Sequence, residues 1–554
     1  MFMIKSTYIL AFGLLFNQLA KPEVAVANSQ RKTDKITPAD TLSKAPANWF
    51  NLDPRDNQVM GVSTEKAYEY LKNRPSKTVI VAVIDSGIDI VHEDLKDKIW
   101  RNEKEIPGNG KDDDNNGYID DINGWNFIGG KDGRNVEHDT QELTRLYVQL
   151  RDKFEGPAGA KLQKKRKEKK NFALYQEIKA AYEKELKETQ EQYSQFQQLQ
   201  GAYQNATAIL KNQLNKEDFT LEDLEKLNST NQQVNQAKAI MLFMAENNFT
   251  KETFAEGEDY FMNKLKYNLN PNFNPRDIVG DNYDNVKERN YGNSDVTGSY
   301  ADHGTHVAGI IGANRTNNLG IKGIADNVKI MVVRAVPNGD ERDKDIANAI
   351  YYAVDNGAQV INMSFGKEYS PQKEAVDAAV KYAADKGVVL VHAAGNDGKN
   401  IDQEKNYPSK ILANNKEVNN WIEVGASSFS GSGKLVGDFS NYGKKSVDVF
   451  APGVDINSTI PKQGYKENSG TSMAAPVTSG VSALLLSYYP NLTAVQVRDI
   501  ILQSTYKVND LKVNVPGAQE GKTQQVPLTD LSVTGGIVNA YEAVKLAETI
   551  STKQ

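Results

Sequence analysis

Three short stretches carry side chains able to do chemistry together. Asp85 ends an apolar run in VAVIDSGID (Val81–Asp89). His303 and His306, two of only five histidines, stand in ADHGTHVAGIIG (Ala301–Gly312), ahead of an apolar helical pattern. Ser472 stands in GTSMAAP (Gly470–Pro476), again where a helix begins. A serine hydroxyl is a weak nucleophile until a base takes its proton, and the base needs an anion to hold its tautomer. Asp, His and Ser are the types acyl transfer requires. Read singly, each has a plainer use. Asp85 suits a turn before Ser86-Gly87, Ser472 suits a helix cap, and His-x-x-His suggests zinc. No further ligand follows at zinc spacing, however. A helix N-terminus also keeps an imidazole neutral, which suits a base.

Residues this far apart meet only if the fold gathers them. The unbroken apolar runs Thr78–Ile84, Lys329–Val336, Gln359–Met363 and Gly387–Ala394 read as strands covered on both faces. Helical patterns lie between them. Ile346, Ala349, Ile350, Ala353 and Val354 share a helix face that Gly357 can end, and a second helix runs between Pro371 and Gly387. The pattern predicts an α/β fold: a mostly parallel β-sheet with helices on both faces. Asp85 then falls at a carboxyl strand end, where such sheets collect ligands and catalytic groups. Residues 137–290 break the pattern. Phe172, Tyr175, Ile178, Tyr182, Leu186, Tyr193, Phe196, Tyr203 and Leu210 mark one face of a long helix, and Leu221–Met244 reads as a second. This is an inserted α-helical hairpin or bundle. Its charge runs, such as Lys164–Lys170, read as a solvated face. It divides the sheet domain into 49–136 and 291–546, with 547–554 as a tail.

VIDSGID, HGTHVAG and GTSMAAP, in that order, resemble the three signature blocks of the subtilisin-like serine peptidases. The resemblance covers roughly Trp49–Glu137 and Tyr291–Leu546. It implies a subtilisin-like fold and an exported serine endopeptidase acting on polypeptides. Ser472 would be the nucleophile, His303 the base and then the acid, Asp85 its orienting anion, and His306 structural. HAAGNDG (His392–Gly398) resembles the oxyanion block, so Asn396 would donate its amide beside the Ser472 backbone N–H. NMSFG (Asn362–Gly366) resembles the substrate-binding strand, which implies that Ser364, Phe365 and Gly366 pair with an extended peptide. Lys367 replaces a glycine there and alters the expected specificity pocket. NGDERDKD (Asn338–Asp345) stands where the family has a small substrate strand. Its Asp340 and Glu341 suggest a preference for basic residues. His92 and His138 read as ordinary surface residues.

PGNGKDDDNNGYIDDINGWNF (Pro107–Phe127) reads D-x-D-x-N-G-Y-x-D. Oxygens of Asp112, Asp114, Asn116, Tyr118 and Asp120 at alternate positions can converge on a calcium ion, with Asp121 as a candidate bidentate ligand. The plainer reading is an Asx-rich turn. Asn314–Ala325 resembles a second calcium loop but is one residue shorter, and carries no assignment. No organic cofactor is expected. The chain has no cysteine, which excludes disulfides and thiolate metal sites, and its net charge of −6 gives no argument for nucleic acid. Lys5, an apolar run and Ala25–Ala27 read as a signal peptide over 1–27, with cleavage after Ala27 or Ala20. The mature chain would be periplasmic or extracellular, with no stable membrane span. Residues 28–48 form a short leader with no room for a long folding propeptide. A non-catalytic binding protein that uses the insertion as its surface, for a partner the sequence does not reveal, is the competing reading, and an esterase with the same triad a narrower one.

Overall fold

The structure is a computed structural model that describes residues 44–508, 510–518 and 524–552. The expected signal peptide and nearly all of the expected leader lie outside the described residues. Among the described residues no helix is long and apolar enough to cross a membrane. The chain divides into two compact units. One spans Leu143–Phe273; the other comprises the stretch through Glu142 and the stretch from Asn274 onward.

The second unit is built on a nine-stranded sheet: β1 (Val79–Asp85), β2 (Gly124–Asn126), β3 (Val328–Arg334), β4 (Val360–Met363), β5 (Val389–Ala393), β6 (Trp421–Ser427), β7 (Val449–Pro452), β8 (Tyr506–Lys507) and β9 (Gly536–Ile537). Their spatial order is β8-β9-β7-β6-β5-β4-β1-β3-β2, and only the β8–β9 edge is antiparallel. Side chains alternate across a strand, and both faces of β1 are used. Val79, Val81 and Val83 pack with helices Asp302–Gly312 and Thr471–Tyr488. Ala82 and Ile84 pack with helices Asp343–Asp355 and Lys373–Asp385. Two-sided burial is why these strands read as continuous apolar runs. The expected mostly parallel sheet with helices on both faces is therefore the architecture found. Gly357 and Gly387, at φ +85° and +74°, follow two of the helices as the sequence suggested.

The helical unit centres on Lys169–Leu214, a helix of 46 residues, or roughly 70 Å. Of its periodic residues, Tyr175, Ile178, Tyr182, Phe196 and Leu210 are buried. The stretch read as one helix over Leu221–Met244 is two, Leu221–Lys226 and Gln232–Glu246, because Thr220 and Asn231 each cap a separate start. Helices Glu142–Phe154, Gly156–Gln163 and Lys251–Asn263 were not expected. The last begins at a Thr250–Thr253 capping box and turns Phe254 and Phe261 into the unit's core. The flanks 137–142 and 274–290 belong to the sheet-bearing unit, where ion pairs, all buried except on the Glu288 side, hold them. Asp139 pairs with Arg342, Arg276 with Asp281 and Asp345, and Lys344 with Asp281 and Glu288. Charges this deep are tolerated because each has a partner.

Candidate active site

β1, β4 and β5 are neighbours and run parallel, so Asp85, Ser364 and Asn396 come from the same edge of the sheet. The chain turns sharply after Asp85. Gly87 adopts φ +121°, and a Cβ there would stand 2.1 Å from the Thr297 carbonyl oxygen, so only glycine fits. Helix Asp302–Gly312 then places His303 in its first turn. This helix comes very close to the turn: a Cβ on Gly304 would stand 2.2 Å from Gly87 O and 3.2 Å from Asp85 Cβ.

The closeness brings His303 Nδ1 to 2.7 Å from Asp85 Oδ1, which also accepts the Ser86 N–H at 2.8 Å. With Nδ1–H donating to the carboxylate, the Nε2 lone pair is left to act as a base. Desolvation pushes the His303 pKa down, but the charge and hydrogen bond of Asp85 outweigh it and raise the pKa above the ordinary histidine value. Arg334, paired in register with Asp85, supports the turn from below. It is 1% exposed and donates to Ser86 O at 2.9 Å and to Glu137 at 3.0 Å.

Ser472 is not the cap of its helix. Gly470 holds that position, with no side-chain hydrogen bond, and Ser472 is the second helical residue. Its hydroxyl donates to Ser364 O at 3.1 Å, and Ser364 Oγ donates back to Ser472 O at 3.0 Å. The serine is thus held at the end of β4, one strand spacing of about 4.8 Å from the strand that carries Asp85. The Ser472 and His303 helices pack on each other.

Asn396 follows β5. Its Oδ1 accepts the Thr471 N–H at 2.8 Å and the Thr471 hydroxyl at 2.9 Å. These bonds fix the amide so that Nδ2 is the donor side. A methyl group on Gly470 would stand 3.7 Å from Nδ2 and 3.6 Å from the Ser472 backbone nitrogen. Both donors therefore border one small space at a helix N-terminus, where the backbone N–H groups lack intrahelical partners. Thr471, which sequence reasoning passed over, sets this orientation.

Ser364, Phe365 and Gly366 leave β4 toward the same edge. Lys367 turns its side chain away into a buried acidic cluster rather than into a pocket. Glu341 is 2% exposed, so it is not presented to a basic substrate as the sequence suggested, and Asp340 accepts the Glu142 N–H. His306 is buried, with Nε2 against Lys466 O at 2.9 Å, and burial lowers its pKa to about 4. His92 is not a surface residue. It is fully buried, accepts the Asp94 N–H at 3.2 Å, and meets Gly464 O from the hairpin Ile456–Asn468. His138 is half-buried against the Tyr300 hydroxyl.

In the acidic loop the carboxylates of Glu105, Asp112 and Asp114 lie within 4.8 Å of one another. Glu105 is 4% exposed. Its Oε1 accepts two backbone N–H groups, while Oε2 is buried without a hydrogen-bond partner. Three such oxygens suit a hard dication. Asp120 lies apart from them, accepting N–H groups of Asn109 and Gly110. Asn116 is engaged with the Tyr118 N–H and with Asp121. Asp121 is buried under the Tyr352 hydroxyl, and desolvation raises its pKa to about 6.

The comparisons with known proteins fit this geometry. The family model described as Subtilase family matches residues 76–523, and the chain belongs to that family. It is 43% identical over 209 residues to the Thermophilic serine proteinase of Bacillus sp. (strain AK1), covering 38% of this chain and 48% of that one. It is 39% identical over 210 residues to the Major intracellular serine protease of Bacillus subtilis (strain 168), covering 37% and 61%. Thermitase of Thermoactinomyces vulgaris is 37% identical over 244 residues, covering 44% and 75%. The matches thus span about half to three quarters of these relatives' length.

Proposed function

We propose that the chain is a serine endopeptidase. The observation that carries this reading is the 2.7 Å contact between His303 Nδ1 and Asp85 Oδ1, made at the sheet edge that also holds Ser472 and Asn396. On this reading His303 Nε2 takes the Ser472 hydroxyl proton as Oγ attacks the scissile carbonyl carbon. The hydroxyl must first leave Ser364 O, a rearrangement expected when substrate enters a ligand-free site. The Asn396 amide and the Ser472 N–H then receive the developing oxyanion. The imidazolium, steadied by Asp85, hands its proton to the leaving amine. Water deacylates the enzyme by the same path.

The sheet supports a peptide substrate. β3 and β4 flank β1, so their continuations are about two strand spacings apart, near 10 Å. β1 stops at Asp85, so on this reading the lane it vacates would take one further extended chain. Such a chain would pair with the backbone of Ser364–Gly366.

The reading includes a structural calcium ion held by Glu105, Asp112 and Asp114. It also includes export to the periplasm or medium through residues 1–27; the N-terminal sequence of mature protein recovered there checks this. Digestion of an unfolded polypeptide by wild type and Ser472→Ala tests the activity. Cleavage by wild type alone is expected, and equal cleavage by both would remove Ser472 from the reaction.

A further inference from the structure

Lys367 directly follows the Ser364–Gly366 segment and is 6% exposed. Its ammonium lies 2.8 Å from Glu142 Oε2, 2.9 Å from Asp343 Oδ1 and 2.7 Å from the Glu341 carbonyl oxygen. Glu142 and Asp343 are each 2% exposed. The three acceptors come from two stretches of chain, 341–343 beyond β3 and Glu142 far upstream. The stretches are themselves joined, because Glu142 donates its N–H to Asp340 Oδ2 at 2.8 Å. On its other side the Lys367 main chain exchanges bonds of 3.0 and 2.9 Å with Tyr407.

A desolvated ammonium between carboxylates contributes little net stability compared with an apolar filler of the same volume. What it supplies is geometry: bonds of fixed length between segments that packing alone would let slide. On the endopeptidase reading those segments are the two walls of the lane above Asp85. The continuation of β3 crosses toward the continuation of β4 and meets it at Lys367. From Ser364 to Lys367 the lane runs three residues, roughly 10 Å of extended chain.

We propose that Lys367 is a positioning residue for peptide binding. Its ammonium ties the substrate-pairing edge Ser364–Gly366 to the facing rim 340–343 and to Glu142, and so sets the width of the lane. The inference rests on the endopeptidase reading above. A substrate that reaches only the acyl site does not feel the width; one with several residues on the acyl side does.

The test compares a single-residue ester with a four-residue peptide anilide, each rate normalised to sites titrated by a fluorophosphonate. For Lys367→Met the anilide KM is expected to rise about tenfold, the effect of one mispaired strand hydrogen bond. Ester turnover per titrated site stays within about twofold on the same reasoning. If Lys367→Met yields no titratable sites, the double variant Lys367→Met/Glu142→Gln, which discharges one stranded carboxylate, takes its place. Equal losses on ester and anilide, or no loss on either, would overturn the proposal. A wild type that neither titrates nor cleaves would instead overturn the endopeptidase reading beneath it.

Discussion

His303 Nδ1 meets Asp85 Oδ1 at 2.7 Å although the two residues are 218 positions apart in the chain. This bond does two things: it fixes the tautomer that leaves Nε2 basic, and it raises the proton affinity of the ring. In the proposed mechanism the base works only when neutral, so activity is expected to be full above the His303 pKa and lost as pH falls through it. Asp85→Asn removes the charge that raises that pKa. The acid limb of kcat/KM should therefore move to lower pH, while kcat falls about 10⁴-fold, as in other triads of this type. An unmoved acid limb in the variant would take the carboxylate out of the mechanism.

Asn396 is aimed by Thr471, which holds its Oδ1 by two hydrogen bonds. Asn396→Leu should lower kcat by about 10²–10³-fold with little change in KM, a magnitude taken from subtilisin, a member of the same family. Thr471→Val keeps the donor and the backbone bond to Oδ1 but removes the hydroxyl bond, and a smaller loss is expected. Full kcat in Asn396→Leu would place the oxyanion elsewhere.

Gly304 leaves no room for a methyl group between the His303 helix and the Asp85 turn. Gly304→Ala must push the two apart. Overpacking of this kind costs about 1–3 kcal/mol, and the displacement falls on the Asp85–His303 bond. A lower Tm together with a loss of kcat is expected. A lower Tm with kcat unchanged would mean that the helix shift spares the triad.

Calcium bound by Glu105, Asp112 and Asp114 would stabilise the folded state by mass action, about 2.7 kcal/mol at a hundredfold excess over Kd. Chelation should lower Tm, and Glu105→Gln should shrink the difference between melts with and without calcium. Identical melts for wild type in both conditions would remove the ion.

Sequence patterns revealed what local physics writes into them. β1 reads as an unbroken apolar run because both its faces are buried, and Gly357 and Gly387 mark helix ends because both need positive φ. The three chemical blocks stood out because each couples a reactive side chain to a strand end or helix start. Glu105 was missed because it precedes the acidic repeat, and only the fold brings it to Asp112 and Asp114. His92 looked exposed among acidic neighbours, yet a hairpin some 370 residues later covers it. The direction of the Lys367 side chain was equally illegible, since its partners Glu142 and Asp343 come from other parts of the chain. The helix Lys251–Asn263 is different: Thr250, Thr253 and the seven-residue spacing of Phe254 and Phe261 were readable signals.

The most direct test is mass-spectrometric mapping of the folded protein after treatment with a fluorophosphonate. One adduct per chain is expected, on Ser472, formed at a rate that rises with pH through the titration of His303 and is abolished in His303→Ala. An active enzyme that carries no adduct on Ser472, or carries it on another serine, would contradict the account.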